Sequence, residues 1–153
     1  MKKTILLRAS VIVALLCSLH CQAQDKGYWY AASNTANSIT GDLFFAKETI
    51  KINFTSFALV RVRALAPAEV SATFDADVNA GGTGTLYRLR VPASTRLLHH
   101  NALCGTEDTQ WMATFVSGRT MQVAFFSGAE APVFTFDSIS KSTDLCGTFT
   151  YSR

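Results

Sequence analysis

Histidine and cysteine are too scarce in this sequence to build an obvious metal centre. The chain has three histidines and four cysteines, and His20, Cys17 and Cys21 fall in its first stretch, so only His99, His100, Cys104 and Cys146 remain beyond it. Adjacent residues on an extended chain point to opposite sides, which makes His99 and His100 poor joint ligands, and no HExxH or Cys/His cluster accompanies them. A GxSxG nucleophile elbow is also missing. Ser94, Asp108 or Asp144 could partner one of the histidines in a hydrolase, but no spacing selects among them. No catalytic residue, metal or cofactor is therefore assigned.

Charge is sparse as well, at 16% of residues. Lys2, Lys3 and Arg8 supply the whole basic excess, and without them 11 basic residues face 11 acidic ones. A formally neutral domain lacks the positive field that nucleic-acid binding draws on. Long apolar runs are missing too: Ala9 to Leu19 is about half of the roughly 20 residues a spanning helix needs.

That run has a basic start before it and Cys21-Gln22-Ala23, a small-x-small cleavage site, after it. Residues 1–23 thus read as a signal peptide. A lipid-anchored form would need a small residue before the modified cysteine, whereas His20 precedes Cys21 and Leu16 precedes Cys17. The expectation is a periplasmic or secreted bacterial protein with no stable membrane span after cleavage. Residues 24–153 then form a single β domain, and about 130 residues suffice for one core.

What is present centres on a phrase used twice, Leu103-Cys104-Gly105-Thr106 and Leu145-Cys146-Gly147-Thr148. In an oxidising compartment two cysteines 42 positions apart are most simply a disulfide. Closing a loop of that length stabilises by about 4 kcal/mol on the loop-entropy estimate. Gly105 and Gly147 point to tight bends at both ends of the bridge. The rival reading is a thiol or metal site with His99 or His100.

Period-two alternation of apolar residues recurs from Tyr28 to Tyr151, and no stretch sustains helical spacing for three turns. The fold class is all-β, with strands expected at 28–32, 39–45, 49–54, 57–65, 70–78, 85–91, 110–116, 121–126, 133–136 and 148–151. Asn79-Ala80-Gly81-Gly82-Thr83-Gly84 and Ser117-Gly118-Arg119 read as hairpin connections, and Pro67, Pro92 and Pro132 fall at strand ends. Eight to ten short strands make a small antiparallel barrel or a two-sheet sandwich, and the barrel is preferred. Ile50, Ile52 and Phe54 should share its inner face, as should Trp111, Ala113 and Phe115. The second strand is apolar on both sides and should be covered twice or line an interface.

Arg61 and Arg63, Asp75 and Asp77, and Arg88 and Arg90 would each share a strand face. In a meander the acidic pair would lie between two basic pairs, each cross-strand contact contributing roughly 0.2 to 1 kcal/mol. Such a face is either a self-paired, solvated surface, the preferred reading, or a binding site for an anionic partner. Among the aromatic runs Tyr28-Trp29-Tyr30, Phe44-Phe45 and Phe125-Phe126, one ring of each neighbouring pair must point outward. A contiguous patch of such rings would mark an interaction site; Trp29, His99 and His100 join the four arginines as candidate binding residues.

Thr40-Gly41-Asp42-Leu43-Phe44-Phe45, Leu86-Tyr87-Arg88-Leu89-Arg90-Val91-Pro92, Leu97-Leu98 to Leu103-Cys104-Gly105, Val123-Ala124-Phe125-Phe126-Ser127-Gly128 and Cys146-Gly147-Thr148-Phe149-Thr150-Tyr151 follow one another in a series. From Ile39 to the C-terminus the chain resembles a group of small exported proteobacterial proteins with the same order of phrases, a likeness that transfers no catalytic residue. A looser analogy of size, compartment and class links it to periplasmic lysozyme inhibitors, without a match to their inhibitory loop. The expected function is protein binding of the inhibitor or immunity type against an envelope protein, without catalysis. The alternatives are a carrier of a small apolar ligand inside the barrel and an envelope hydrolase using His99 or His100.

Overall fold

A computed structural model describes residues 25–77, 79 and 81–153. The expected signal peptide and Cys17 and Cys21 lie outside those residues. Eight antiparallel strands close into a barrel in simple sequence order: β1 (Gly27–Ala31), β2 (Leu43–Phe45), β3 (Thr49–Ile52), β4 (Thr55–Leu65), β5 (Thr83–Val91), β6 (Thr109–Ser117), β7 (Thr120–Phe126) and β8 (Leu145–Ser152). Closure depends on a short seam, Tyr30 opposite Ser152 and Ala31 opposite Tyr151. Among the described residues three helices are added: α1 (Asn34–Ile39), α2 (Pro67–Phe74) and α3 (Phe136–Ser140).

Two apolar layers result. The barrel interior is filled by Trp29, Leu43, Ile50, Ile52, Met112, Phe125, Phe149, Tyr151 and their neighbours. Large side chains of this kind contribute roughly 1.5 to 3 kcal/mol each on full burial. The second layer lies outside the wall, where Leu86, Ala113, Phe115, Ala124 and Phe126 are roofed by Val70 of α2 and by Phe134. The strands covered on both faces are thus β5 to β7 and not the second one.

This second layer explains the main departures from the alternation pattern. Trp111, Ala113 and Phe115 face the outer layer, and their neighbours Met112, Thr114 and Val116 are buried on the other side of β6. The strand expected at 70–78 is instead helix α2, whose Val70 and Phe74 pack on the outer layer. Pro67 supplies a helix-ready first residue, and Glu69 returns its carboxylate to the Ala66 N–H at 2.8 Å. Val70, Ala72 and Phe74 alternate, but Val70 and Phe74 are also one helical turn apart, so periodicity alone does not separate the two states. Gly84 permits the close approach of α2, since a Cβ there would come within 2.5 Å of Val70 Cγ2.

Other boundaries shift for local reasons. Residues 39–45 begin as the end of α1, capped by Ser33 accepting from Ala36 N–H at 3.1 Å, and become strand only at Leu43. Residues 133–136 lead into α3. Gly81 and Gly82 lie on the approach from α2 to β5, not at a hairpin tip, whereas Gly118 and Arg119 do form a two-residue loop between paired Ser117 and Thr120.

Cys104 and Cys146 are bonded to each other, tying the long β5–β6 connection to the start of β8. Gly105 has the left-handed φ of 64° expected for a tight bend, while Gly147 lies within the β8 ladder opposite Phe125.

Candidate functional site

The four arginines do not share a surface. A bulge in β4 sets Arg61 opposite Tyr87 and Arg63 opposite Leu86, with Val62 as the extra residue, and one added residue reverses the facing of all that follow. Arg61 consequently lines a cavity at the barrel mouth, whereas Arg63 lies over the Phe134 ring at 5.8 Å and pairs with Glu69 at 2.7 Å. Arg88 stacks on Trp111 at 4.5 Å and donates to Gln110 at 2.6 Å. Arg90 pairs with Asp108 at 2.9 Å. The expected acidic ladder is not formed, because β4 pairs directly with β5; Asp75 caps the end of α2 with φ 52° and Asp77 accepts from the Asn79 N–H.

Trp29 is fully buried inside the barrel, its ring covered by Arg153 at 4.4 Å, so it offers no surface to a partner. His99 and His100 are exposed in a short 3₁₀ turn, Leu98–His100, with left-handed φ of 53° and 63°. Among the described residues neither imidazole bonds to Ser94, Asp108 or Asp144; the Asp108 carboxylate is taken by Arg90 and the Ala93 N–H. No group of three or more His, Cys, Asp or Glu residues among those described could hold a metal, and no described helix is long and apolar enough to cross a membrane.

The outward rings of the first two strands do gather. Tyr28 stands opposite Phe44, and Phe44 opposite Lys51. The Tyr28 and Phe44 rings lie 4.5 Å apart, tilted by 43°, within the separation at which aromatic pairs attract. Tyr28 and Tyr30 are 64% and 58% exposed. With Asp42, Lys51 and Phe54 they line a groove of about 510 Å³.

Phe54 departs furthest from its sequence-based placement. Alternation puts it inside with Ile50 and Ile52, yet it is 92% exposed. Ile52 pairs with Thr55, which leaves Asn53 and Phe54 as a two-residue hairpin loop with φ of 44° and 67°. Positive φ at both central residues is the type I′ requirement, ordinarily met by Asn-Gly. Asn53 follows that preference. Phe54 does not, and a bulky residue there is strained as well as exposed. The one available signal was Asn53 itself, a turn former directly after the alternating Ile50 and Ile52, and the missing glycine weakened it.

No protein-family model, curated protein or solved structure matches the chain.

Proposed function

We propose that this protein is an exported binding domain that docks a partner protein in the cell envelope through the β3–β4 hairpin tip and the aromatic groove beside it. The observation that carries this reading is Phe54: a large apolar ring, 92% exposed, held on a backbone it does not favour. Local stability gives no reason to keep phenylalanine at that position, whereas insertion into a partner's pocket does. Tyr28, Tyr30 and Phe44 extend the contact with rings of the type that dominates binding energy at protein interfaces, and Asp42 and Lys51 supply polar groups at its margin. The leader expected over residues 1–23 and the Cys104–Cys146 bond support placement in an oxidising compartment.

The packed middle of the barrel favours docking over carriage of an apolar ligand there, since Trp29, Phe125, Phe149 and Tyr151 occupy it. The test is capture from an envelope extract with wild-type protein and with Phe54→Gly side by side. Docking at the tip requires one partner at near-stoichiometric yield, with affinity reduced at least about tenfold by the variant, as for a central interface residue. Equal capture by both proteins would remove the hairpin from the interface.

A further inference from the structure

The opposite end of the barrel has a second cavity, of about 530 Å³, and its chemistry is different. Asp25 lines it and is only 8% exposed. Oδ2 of its carboxylate accepts from Tyr87 Oη at 2.6 Å and from Thr114 Oγ1 at 2.9 Å, and its main-chain carbonyl accepts from Trp29 Nε1 at 2.9 Å. Oδ1 receives no hydrogen bond from the described residues. The ion pairs formed among them join Arg63 to Glu69, Arg90 to Asp108 and Lys141 to Asp137, leaving the Asp25 carboxylate without a cation from the described residues. No enclosed side-chain oxygen among them lacks a partner, so Oδ1 keeps access to the cavity that Asp25 lines.

A carboxylate so far withdrawn from water, with half of its acceptor capacity unused, favours a ligand that brings a positive donor. The rim has the opposite sign. Lys26, Lys47 and Arg61 stand there against Glu48, all four exposed, whereas Phe45 and Leu59 are buried apolar residues of the lining. This arrangement discriminates among small ligands. A simple anion would meet Asp25, and a diamine would leave its second charge among the rim cations.

We propose that the barrel mouth binds a small zwitterion: a primary ammonium on Asp25 Oδ1, an apolar body against Phe45 and Leu59, and a carboxylate at the rim beside Lys47 and Arg61. A short apolar peptide carries these groups in this order, whereas in an α-amino acid the ammonium and carboxylate share one carbon. Tyr87 Oη, its proton committed to Asp25, offers a lone pair as a second acceptor for the ammonium. The volume lies within the range of about 300 to 1,000 Å³ typical of small-molecule sites. This site is independent of the Phe54 tip, so either can fail without the other.

Calorimetric titration of the purified protein tests it, with leucyl-leucine and free leucine as probes. Leucyl-leucine should bind with a Kd in the millimolar range or tighter, and free leucine, whose two charges share one carbon, more weakly. N-acetylation of the better probe should weaken binding at least tenfold, and amidation of its carboxylate several-fold. Asp25→Asn should abolish the preference for the free amine, and Arg61→Ala should abolish the preference for the free carboxylate. Should Asp25→Asn fail to fold, the acetylated and free probes on wild-type protein still decide. The proposal is overturned if neither probe binds at tens of millimolar or if the acetylated probe binds as tightly as the free one.

Discussion

Thr40 and Tyr151 meet through their side-chain oxygens at 2.6 Å in the buried interior, although 111 residues separate them. The contact fastens the end of α1 to the last strand beside the short β1–β8 seam that closes the barrel. Its two ends are not equivalent. Thr40 Oγ1 also lies within hydrogen-bond distance of the Ala36 and Gly41 carbonyls, at 3.3 and 3.1 Å, whereas Tyr151 Oη has no second partner among the described residues. Tyr151→Phe should therefore cost about 1 kcal/mol, the net worth of an ordinary hydrogen bond. Thr40→Val leaves a buried phenol unsatisfied and should cost about 2 to 3 kcal/mol. Urea denaturation of both variants checks the order.

Phe54→Gly should leave the fold intact and stabilise it by about 0.5 to 1 kcal/mol, by converting the loop into Asn-Gly with the left-handed backbone it already has. Little contact is lost, because the ring is almost wholly in solvent. A raised Tm together with weakened capture of the partner would separate the two roles of this position. A fall in Tm would mean that the ring packs on the groove more than its exposure indicates.

The strand count and the closed barrel are legible in the sequence because most strands alternate cleanly and Ser117-Gly118-Arg119 carries recognisable turn residues. Ile50 and Ile52 fall inside for that reason. The second apolar layer is not legible: Met112 and Val116 are as apolar as Trp111, Ala113 and Phe115, and which set faces inward depends on α2, which the alternation of Val70, Ala72 and Phe74 conceals. The β4 bulge is equally hidden, since no glycine or proline marks Val62, and the separation of Arg61 from Arg63 goes with it. Outward tyrosines can be inferred from the Tyr28-Trp29-Tyr30 run, but not which ring turns inward. Asp25 escapes notice because a single carboxylate carries no sequence signal of burial.

The disulfide ties the β5–β6 connection to the start of β8, so reduction should loosen the end of the barrel bearing α1 and the 3₁₀ turn more than the barrel mouth. Replacing both Cys104 and Cys146 with Ala should lower stability by about 3 to 4 kcal/mol, from the loop of 42 positions that the bond closes. Thiol titration of the denatured wild type should find two reactive thiols from this pair only after reduction. Hydrogen exchange on the variant should rise first in residues 92–108.

Stability should decline at both extremes of pH. Glu69 is held below the usual carboxylate range by the hydrogen bond from Arg63, and Asp108 by the Ala93 N–H and then Arg90. A folded pKa below the unfolded one means that the unfolded chain binds more protons, so the stabilisation is full above the ordinary value of about 4 and is lost as pH falls through the folded values. Both pairs are largely solvated and salt should reduce the effect. Burial raises Tyr87 and Tyr151, with the Asp25 carboxylate adding to the rise at Tyr87. For these the sign reverses: the folded form retains a proton that the unfolded chain releases, so stability is flat below about pH 10 and declines above it. Urea midpoints from pH 3 to 11 should trace both limbs. Glu69→Gln should make the acid limb shallower, leaving the share of Asp108, and Tyr151→Phe should make the alkaline limb shallower, leaving the share of Tyr87 and the acid limb unchanged.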